Sequence, residues 1–314
     1  MLNVTRAGAI AAILFPCVLS LPNAALGQET ATTQSAQAAP VRVTIEDGGT
    51  GPYPAIATES AGLAGMTIFR PDDLSAFGEE QKLPVLLWGN GACANSPQEH
   101  KNFLNELASQ GYLVLAIGPA SSLEGRERGP RARTSSKQLI EALDWATTQN
   151  DDEASELHGA IDLEKVAAMG MSCGGLQAIE ISDDPRITTT VVCNSGVLPE
   201  PSPMGAMPSL TKDDLKDKYD HPVIYIMGGP SDIAYNNAMD DFGRVEGVPI
   251  VMTNLDVGHG GTYGDPHGGE FTRVALAWLN WQLKGDEAAK QQFTDETSDL
   301  RTDEKWTVEL KNVE

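Results

Sequence analysis

Residues 166–180 read Val166-Ala-Ala-Met-Gly-Met-Ser-Cys-Gly-Gly-Leu-Gln-Ala-Ile-Glu180. A short apolar run ends in Gly170-Met171-Ser172-Cys173-Gly174, and a helix-forming segment follows at once. This order predicts a buried strand, a sharp turn and a helix, and it fits the G-x-S-x-G pattern. The glycines two residues before and two after the serine are required because a crossing strand and helix leave no room for side chains. Such a turn holds its serine in a strained conformation, with the hydroxyl exposed above the sheet. Five residues alone recur by chance, so the rest of the chain has to bear the reading out.

Outward from this stretch, strand-like runs alternate with helical ones between about residues 41 and 285. Residues 41–46 alternate apolar and polar side chains, as a half-exposed first strand does, and residues 66–69 suggest a second. Residues 83–88 and 112–117 are apolar runs, with Phe103, Leu104 and Leu107 marking a helix face between them. Residues 137–148 have helical periodicity. Residues 166–169, 190–192, 223–227 and 250–255 supply four further buried strands, and residues 271–283 form a strongly amphipathic last helix. Apolar strands separated by helices predict an α/β fold: a mostly parallel central sheet with helices on both faces. The absence of a composition break predicts one domain over residues 41–314 with little or no cap. The Pro-rich stretch 198–204 is the one candidate for a short cap. Trp306-Thr-Val-Glu-Leu310 alternates and is expected to pack as an edge strand.

Residues 1–27 read as a secretory signal: Arg6 is followed by a short apolar run and then by Ala25-Leu26-Gly27, small residues suited to cleavage. Residues 28–40, rich in Thr, Gln, Ser and Ala, read as a disordered leader. A secreted or periplasmic location follows as an expectation. The formal net charge is −22, which repels nucleic acid and anionic lipid and makes both unexpected partners. Oligomeric state is not readable from the sequence.

A serine hydroxyl is a weak nucleophile until a base takes its proton during attack. On this fold the partners follow in the order serine, acid, histidine, each in a loop after a strand. The run 223–227 leads into Gly228-Gly-Pro-Ser-Asp232, and the run 250–255 into Asp256-Val-Gly-His259-Gly-Gly. Ser172, His259 and Asp232 are therefore the expected nucleophile, base and orienting acid. Asp232 also suits a helix cap, and His267 competes with His259 from eight residues further on. Asp220, Asp240 and Asp241 are less well placed. Stabilising the oxyanion requires two backbone donors. The expected ones are the N–H of Cys173 and that of Ala92, with Gly91 as the alternative, in the loop Gly89-Asn90-Gly91-Ala92-Cys93.

Cys93 and Cys173 fall in the two loops that must face each other at this site, so a disulfide between them is expected. Cys193 is the rival partner for Cys173, and free thiols remain the alternative. No two of these cysteines have finger-like spacing, so no metal is expected. His259, Asp265 and His267 make at most a weak metal constellation. Trp88, Tyr235, Tyr263 and Met207 are candidate substrate contacts, although packing would explain each of them equally well.

Taken together, Trp88-Gly-Asn-Gly-Ala92, residues 107–116, Gly170-Met-Ser-Cys-Gly-Gly175, Asp232 and His259 resemble the α/β-hydrolase superfamily. Within it they are most similar to the dienelactone-hydrolase and polyester-hydrolase (cutinase-like) branch. The resemblance implies a serine carboxylic-ester hydrolase that needs no cofactor and acts on a small or polymer-borne ester. Two departures are visible: Cys173 stands where the polyester hydrolases commonly carry Met, and the 89–93 loop lacks their aromatic. A serine peptidase of the same fold, or a catalytically silent binding protein, are the competing readings.

Overall fold

The computed structural model describes residues 41–124, 134–200 and 207–313. The expected signal and leader, and most of the Pro-rich stretch, lie outside the described residues. Among the described residues, ten strands form one mixed sheet in the order β1-β2-β3-β5-β4-β6-β7-β8-β9-β10. The strands are β1 (Arg42–Val43), β2 (Ala55–Thr58), β3 (Met66–Pro71), β4 (Leu83–Gly89), β5 (Leu113–Ile117), β6 (Ile161–Met171), β7 (Thr189–Cys193), β8 (Val223–Met227), β9 (Ile250–Leu255) and β10 (Trp306–Lys311). From β5 through β9 the neighbours run parallel, whereas β1, β2, β3 and β10 pair antiparallel at the two edges.

The parallel strands are buried, apart from residues 162–165 of β6, because helices cover both faces. Alternate residues of each strand face opposite layers. Leu86 and Trp88 of β4 pack with Phe103, Leu104 and Leu107 of α1 (Lys101–Ser109) and with Phe271, Val274 and Trp278 of α5 (Gly269–Lys284). Leu83, Val85 and Leu87 face α2 (Lys137–Asp151) through Leu139 and Leu143. α3 (Cys173–Ile181) and α4 (Tyr235–Arg244) cover the β7–β9 part through Leu176, Ile179 and Ala238. Two short helices, α6 (Glu287–Thr294) and α7 (Asp299–Thr302), then lead to β10.

The structure refines the sequence pattern in three places. The first strand keeps only Arg42–Val43, because Glu46 and Asp47 adopt left-handed φ values of 45° and 54° that turn the chain out of the ladder. β2, an alanine-rich strand of four residues, carries too weak a pattern to be read from sequence. Pro84, which cannot donate to a ladder, sits where the β4–β6 register jumps, between the pairs Pro84↔Asp162 and Val85↔Val166.

The order β5-β4-β6 positions the site. After β4 the chain moves to one side to form β5, then returns to the other side of β4 as β6. The connections from β4 and β6 therefore diverge and leave a crevice beyond their carboxyl ends, where α/β sheets bind ligands.

Candidate active site

Ser172 occupies the turn between β6 and α3 with φ 55° and ψ −116°. A non-glycine residue held there costs about 1–3 kcal/mol and persists only where its surroundings fix it. They do so here. The Ser172 N–H donates to the Cys193 carbonyl at 2.9 Å, and its own carbonyl accepts from Ser195 Oγ at 2.7 Å. A Cβ on Gly174 would run into the carbonyl of Gly89, and one on Gly170 into the carbonyl of Gly174. Only hydrogen at these positions lets β4, β6 and α3 approach so closely, which brings the serine turn against the loop after β4.

The carboxyl ends of β8 and β9 supply the other two groups. His259 Nε2 lies 2.9 Å from Ser172 Oγ, and His259 Nδ1 lies 2.7 Å from Asp232 Oδ1. A carboxylate only accepts, so Nδ1 carries the proton and Nε2 is left to accept from the serine hydroxyl. The two loops are tied by backbone bonds, since Val257 and Gly258 both donate to the Gly228 carbonyl at 3.1 and 2.9 Å.

Asp232 is only 4% exposed. Burial on its own would raise its pKa, but hydrogen bonds from His259, Ala234 N–H, Asn194 and Gly228 N–H outweigh that and hold it below the ordinary carboxylate value. The bond from Ala234 N–H, at 2.8 Å, closes a local turn just ahead of α4, whose N-cap is Ala234 and not Asp232. The same carboxylate thus serves both that turn and the imidazole.

The loop after β4 forms a short 3₁₀ turn in which Ala92 and Cys93 have φ values of 55° and 50°. Asn90 anchors it from beneath, donating to the carbonyls of Ile117 (2.6 Å) and Ala94 (3.0 Å) and accepting from Trp88 Nε1 (3.0 Å). Thr134 Oγ1 donates to the Cys93 carbonyl at 3.0 Å. Cys93 and Cys173 are joined in a disulfide with their Cα atoms 5.2 Å apart, while Cys193 is unbridged and buried. The bridge therefore couples the β4 loop to the residue that follows Ser172. Cys173 begins α3, and first-turn N–H groups of a helix have no intrahelical acceptor. The backbone of this corner therefore has donors to offer a developing negative charge.

The remaining candidates separate. Trp88 is fully buried and Tyr263 is 2% exposed. Both belong to an aromatic cluster with His100 and Phe103, so burial corrects their expected role as substrate contacts. Met207 packs against the cluster that contains Val197 and Leu210. Tyr235 stays half-buried as the first residue of α4, three positions beyond Asp232. His267 stands instead between Glu46 and Glu106, 3.5 Å from each. Asp241 pairs with Lys212, and Asp220 with His221.

Sequence reasoning missed Asn194 and Ser195. Asn194 Nδ2 donates to Asp232 Oδ2 at 2.8 Å. The available signal was positional: Asn194-Ser195-Gly196 is a turn-forming run at the end of β7, beside the β6 and β8 loops.

Comparison with known proteins points the same way. The hydrolase ffsE of Aspergillus flavipes is 34% identical over 114 residues, covering 34% of this chain and 24% of that protein. The hydrolase acrC of Aspergillus aculeatus is 33% identical over 120 residues, 37% of this chain and 26% of its own. An α/β hydrolase, ucsC, from an Acremonium species is 33% identical over 115 residues, 35% of this chain and 22% of its own. The chain thus spans about a quarter of the length of these relatives. A family model described as PET hydrolase-like matches residues 36–194, just over half of the chain, including β1 to β7 and Ser172. The chain belongs to the PET hydrolase-like family, and its fold is that of an α/β hydrolase.

Proposed function

We propose that the chain is an exported serine hydrolase of carboxylic esters. Ser172 Oγ attacks the acyl carbon while His259 Nε2 takes the hydroxyl proton, and Asp232 stabilises the imidazolium that forms. The carbonyl oxygen becomes an oxyanion held by the N–H groups of Cys173 and Ala92, with Gly91 as the alternative second donor. Collapse of this intermediate expels the alcohol, which receives the proton from His259, and leaves an acyl group on Ser172. Water, deprotonated by the same imidazole, then attacks the acyl-enzyme and releases the acid. The observation that carries this reading is the unbroken hydrogen-bond chain from Ser172 through His259 to Asp232.

Two exposed apolar side chains, close in sequence to Asp232 and His259, support an ester with an apolar part. The exposed large hydrophobic side chains among the described residues are Ile233 and Val257, 81% and 44% exposed. One directly follows Asp232 and the other lies two residues before His259. Export is supported by the signal-like residues 1–27 together with a disulfide, which persists in oxidising compartments.

Labelling by a fluorophosphonate probe, with release of p-nitrophenol from acetate and butyrate esters, tests the proposal. Ser172→Ala should abolish both, and anilides of the same acyl groups should be cleaved far more slowly. Turnover that survives Ser172→Ala would overturn the assignment. Anilides cleaved as fast as esters would move the chain to the peptidases.

A further inference from the structure

Asn194, at the end of β7, has φ 42° and is fully buried. Left-handed backbone at a non-glycine residue is tolerated best by asparagine and is retained where neighbouring contacts demand it. Its side chain makes such contacts at three points on two loops, those after β8 and β9. Nδ2 donates to Asp232 Oδ2 at 2.8 Å and to the Gly258 carbonyl at 3.3 Å, while Oδ1 accepts from the Tyr263 hydroxyl at 2.6 Å. The amide therefore touches the acid itself, the residue before His259, and the loop that continues beyond His259.

We propose that Asn194 and Tyr263 form a positioning relay for the proposed reaction, Tyr263 fixing the Asn194 amide so that its N–H faces Asp232 and holds that carboxylate in line with His259. This inference rests on the reading of Ser172, His259 and Asp232 as the reacting set. The direction of the relay follows from donor chemistry. An amide turned the other way would point its carbonyl oxygen at a carboxylate and leave Tyr263 facing an N–H. The tyrosine ring is held by Trp88, His100, Phe103 and Phe271 at centroid separations of 4.9–6.1 Å, so its hydroxyl has a fixed aim.

The buried titratable groups packed around the relay keep constant protonation across the assayed pH range. Burial lowers His100 to about 3. Burial also raises Cys193, beside the Tyr263 hydroxyl, to about 12, and raises Tyr263 well above its ordinary value. Asp232 is the charged group the relay touches. A donor withdrawn from its Oδ2 increases the proton affinity of the carboxylate, which then holds an imidazolium more tightly. Loss of the relay should therefore move the acidic limb of the kcat/KM profile to higher pH.

The test uses Asn194→Gly and Tyr263→Phe in the full chain, assayed on p-nitrophenyl esters across pH. Glycine adopts the left-handed conformation freely, so Asn194→Gly removes the amide without straining the turn. Phenylalanine retains the ring packing and loses only the hydroxyl. For Asn194→Gly we expect kcat to fall about tenfold to a hundredfold, the scale of one hydrogen bond to a charged group. KM should stay within about twofold, because no substrate contact is removed. Tyr263→Phe should show a smaller loss and an acidic limb displaced in the same direction. If Asn194→Gly does not fold, Tyr263→Phe alone decides. An acidic limb that stays in place in the folded variants overturns the relay, whatever happens to kcat. Hydrolysis that survives Ser172→Ala would instead sink the parent reading, so the two failures are distinguishable.

Discussion

At the scale of single residues, His100 shows how burial sets a property that the sequence conceals. It is 3% exposed, its Nδ1 has no hydrogen-bond partner among the described residues, and burial lowers its pKa from 6.5 to about 3. The folded state therefore refuses a proton that the unfolded chain accepts below pH 6.5. A group depressed in this way contributes full stability above the unfolded pKa and loses it as pH falls towards the folded one. By pH 4 the loss should be roughly 3 kcal/mol. His100→Phe fits the same aromatic surroundings and should be close to wild type at pH 7, yet lose less stability on acidification. Urea unfolding at pH 7 and pH 4 measures this, and equal losses in the two proteins would refute it. Trp88 and Tyr263 teach a related lesson. The sequence sets both beside site motifs, but the pleat of β4 and the contacts of the 259–268 loop send the two rings into the core. Asn194 was illegible for a different reason: its partners lie 38 and 69 residues away, and no local pattern encodes contacts at that range.

At the scale of elements, the strands bearing the candidate groups were the legible ones. β4, β8, β9 and the second half of β6 are buried on both faces and read as largely apolar runs, and each ends in the glycine-rich loop the chemistry requires. The antiparallel edge was less legible because β1 and β2 are short and form few pairs. Between these elements the Cys93–Cys173 bridge closes a separation of 80 residues and joins the loops after β4 and β6. A long closed loop makes the bridge matter for folding, and loss of a native disulfide typically costs 2–5 kcal/mol. Its position adds a functional consequence, because one bridged residue would itself donate to the oxyanion. In Cys93→Ala the melting temperature should fall, and kcat should fall by about tenfold through loosening of the donors, within the range seen when an oxyanion contact is weakened. KM should change less than kcat. A variant with a lowered melting temperature and unaltered kcat would show that the bridge serves folding alone.

At the scale of the whole molecule, the net charge of −22 acts on every encounter between this protein and a charged substrate. The fold does not depend on the charge, but association does: a strongly negative surface lowers the local concentration of anions and slows their arrival. The loop carrying His259 begins with the exposed Asp256, so part of that charge lies at the candidate site itself. Hydrolysis of p-nitrophenyl acetate, a neutral ester, should be nearly insensitive to salt. The anionic p-nitrophenyl hemisuccinate should be a poor substrate at low ionic strength and improve severalfold as salt is added. Raising the ionic strength from about 10 mM to about 150 mM shortens the screening length from about 30 Å to about 8 Å, so surface charge outside the crevice drops out of the encounter. Whatever discrimination persists at the higher salt comes from groups within the site. Comparing kcat/KM for the two esters at both ionic strengths thus separates the field of the whole surface from the local effect of Asp256, and equal salt responses would deny the surface charge any part in selecting substrates.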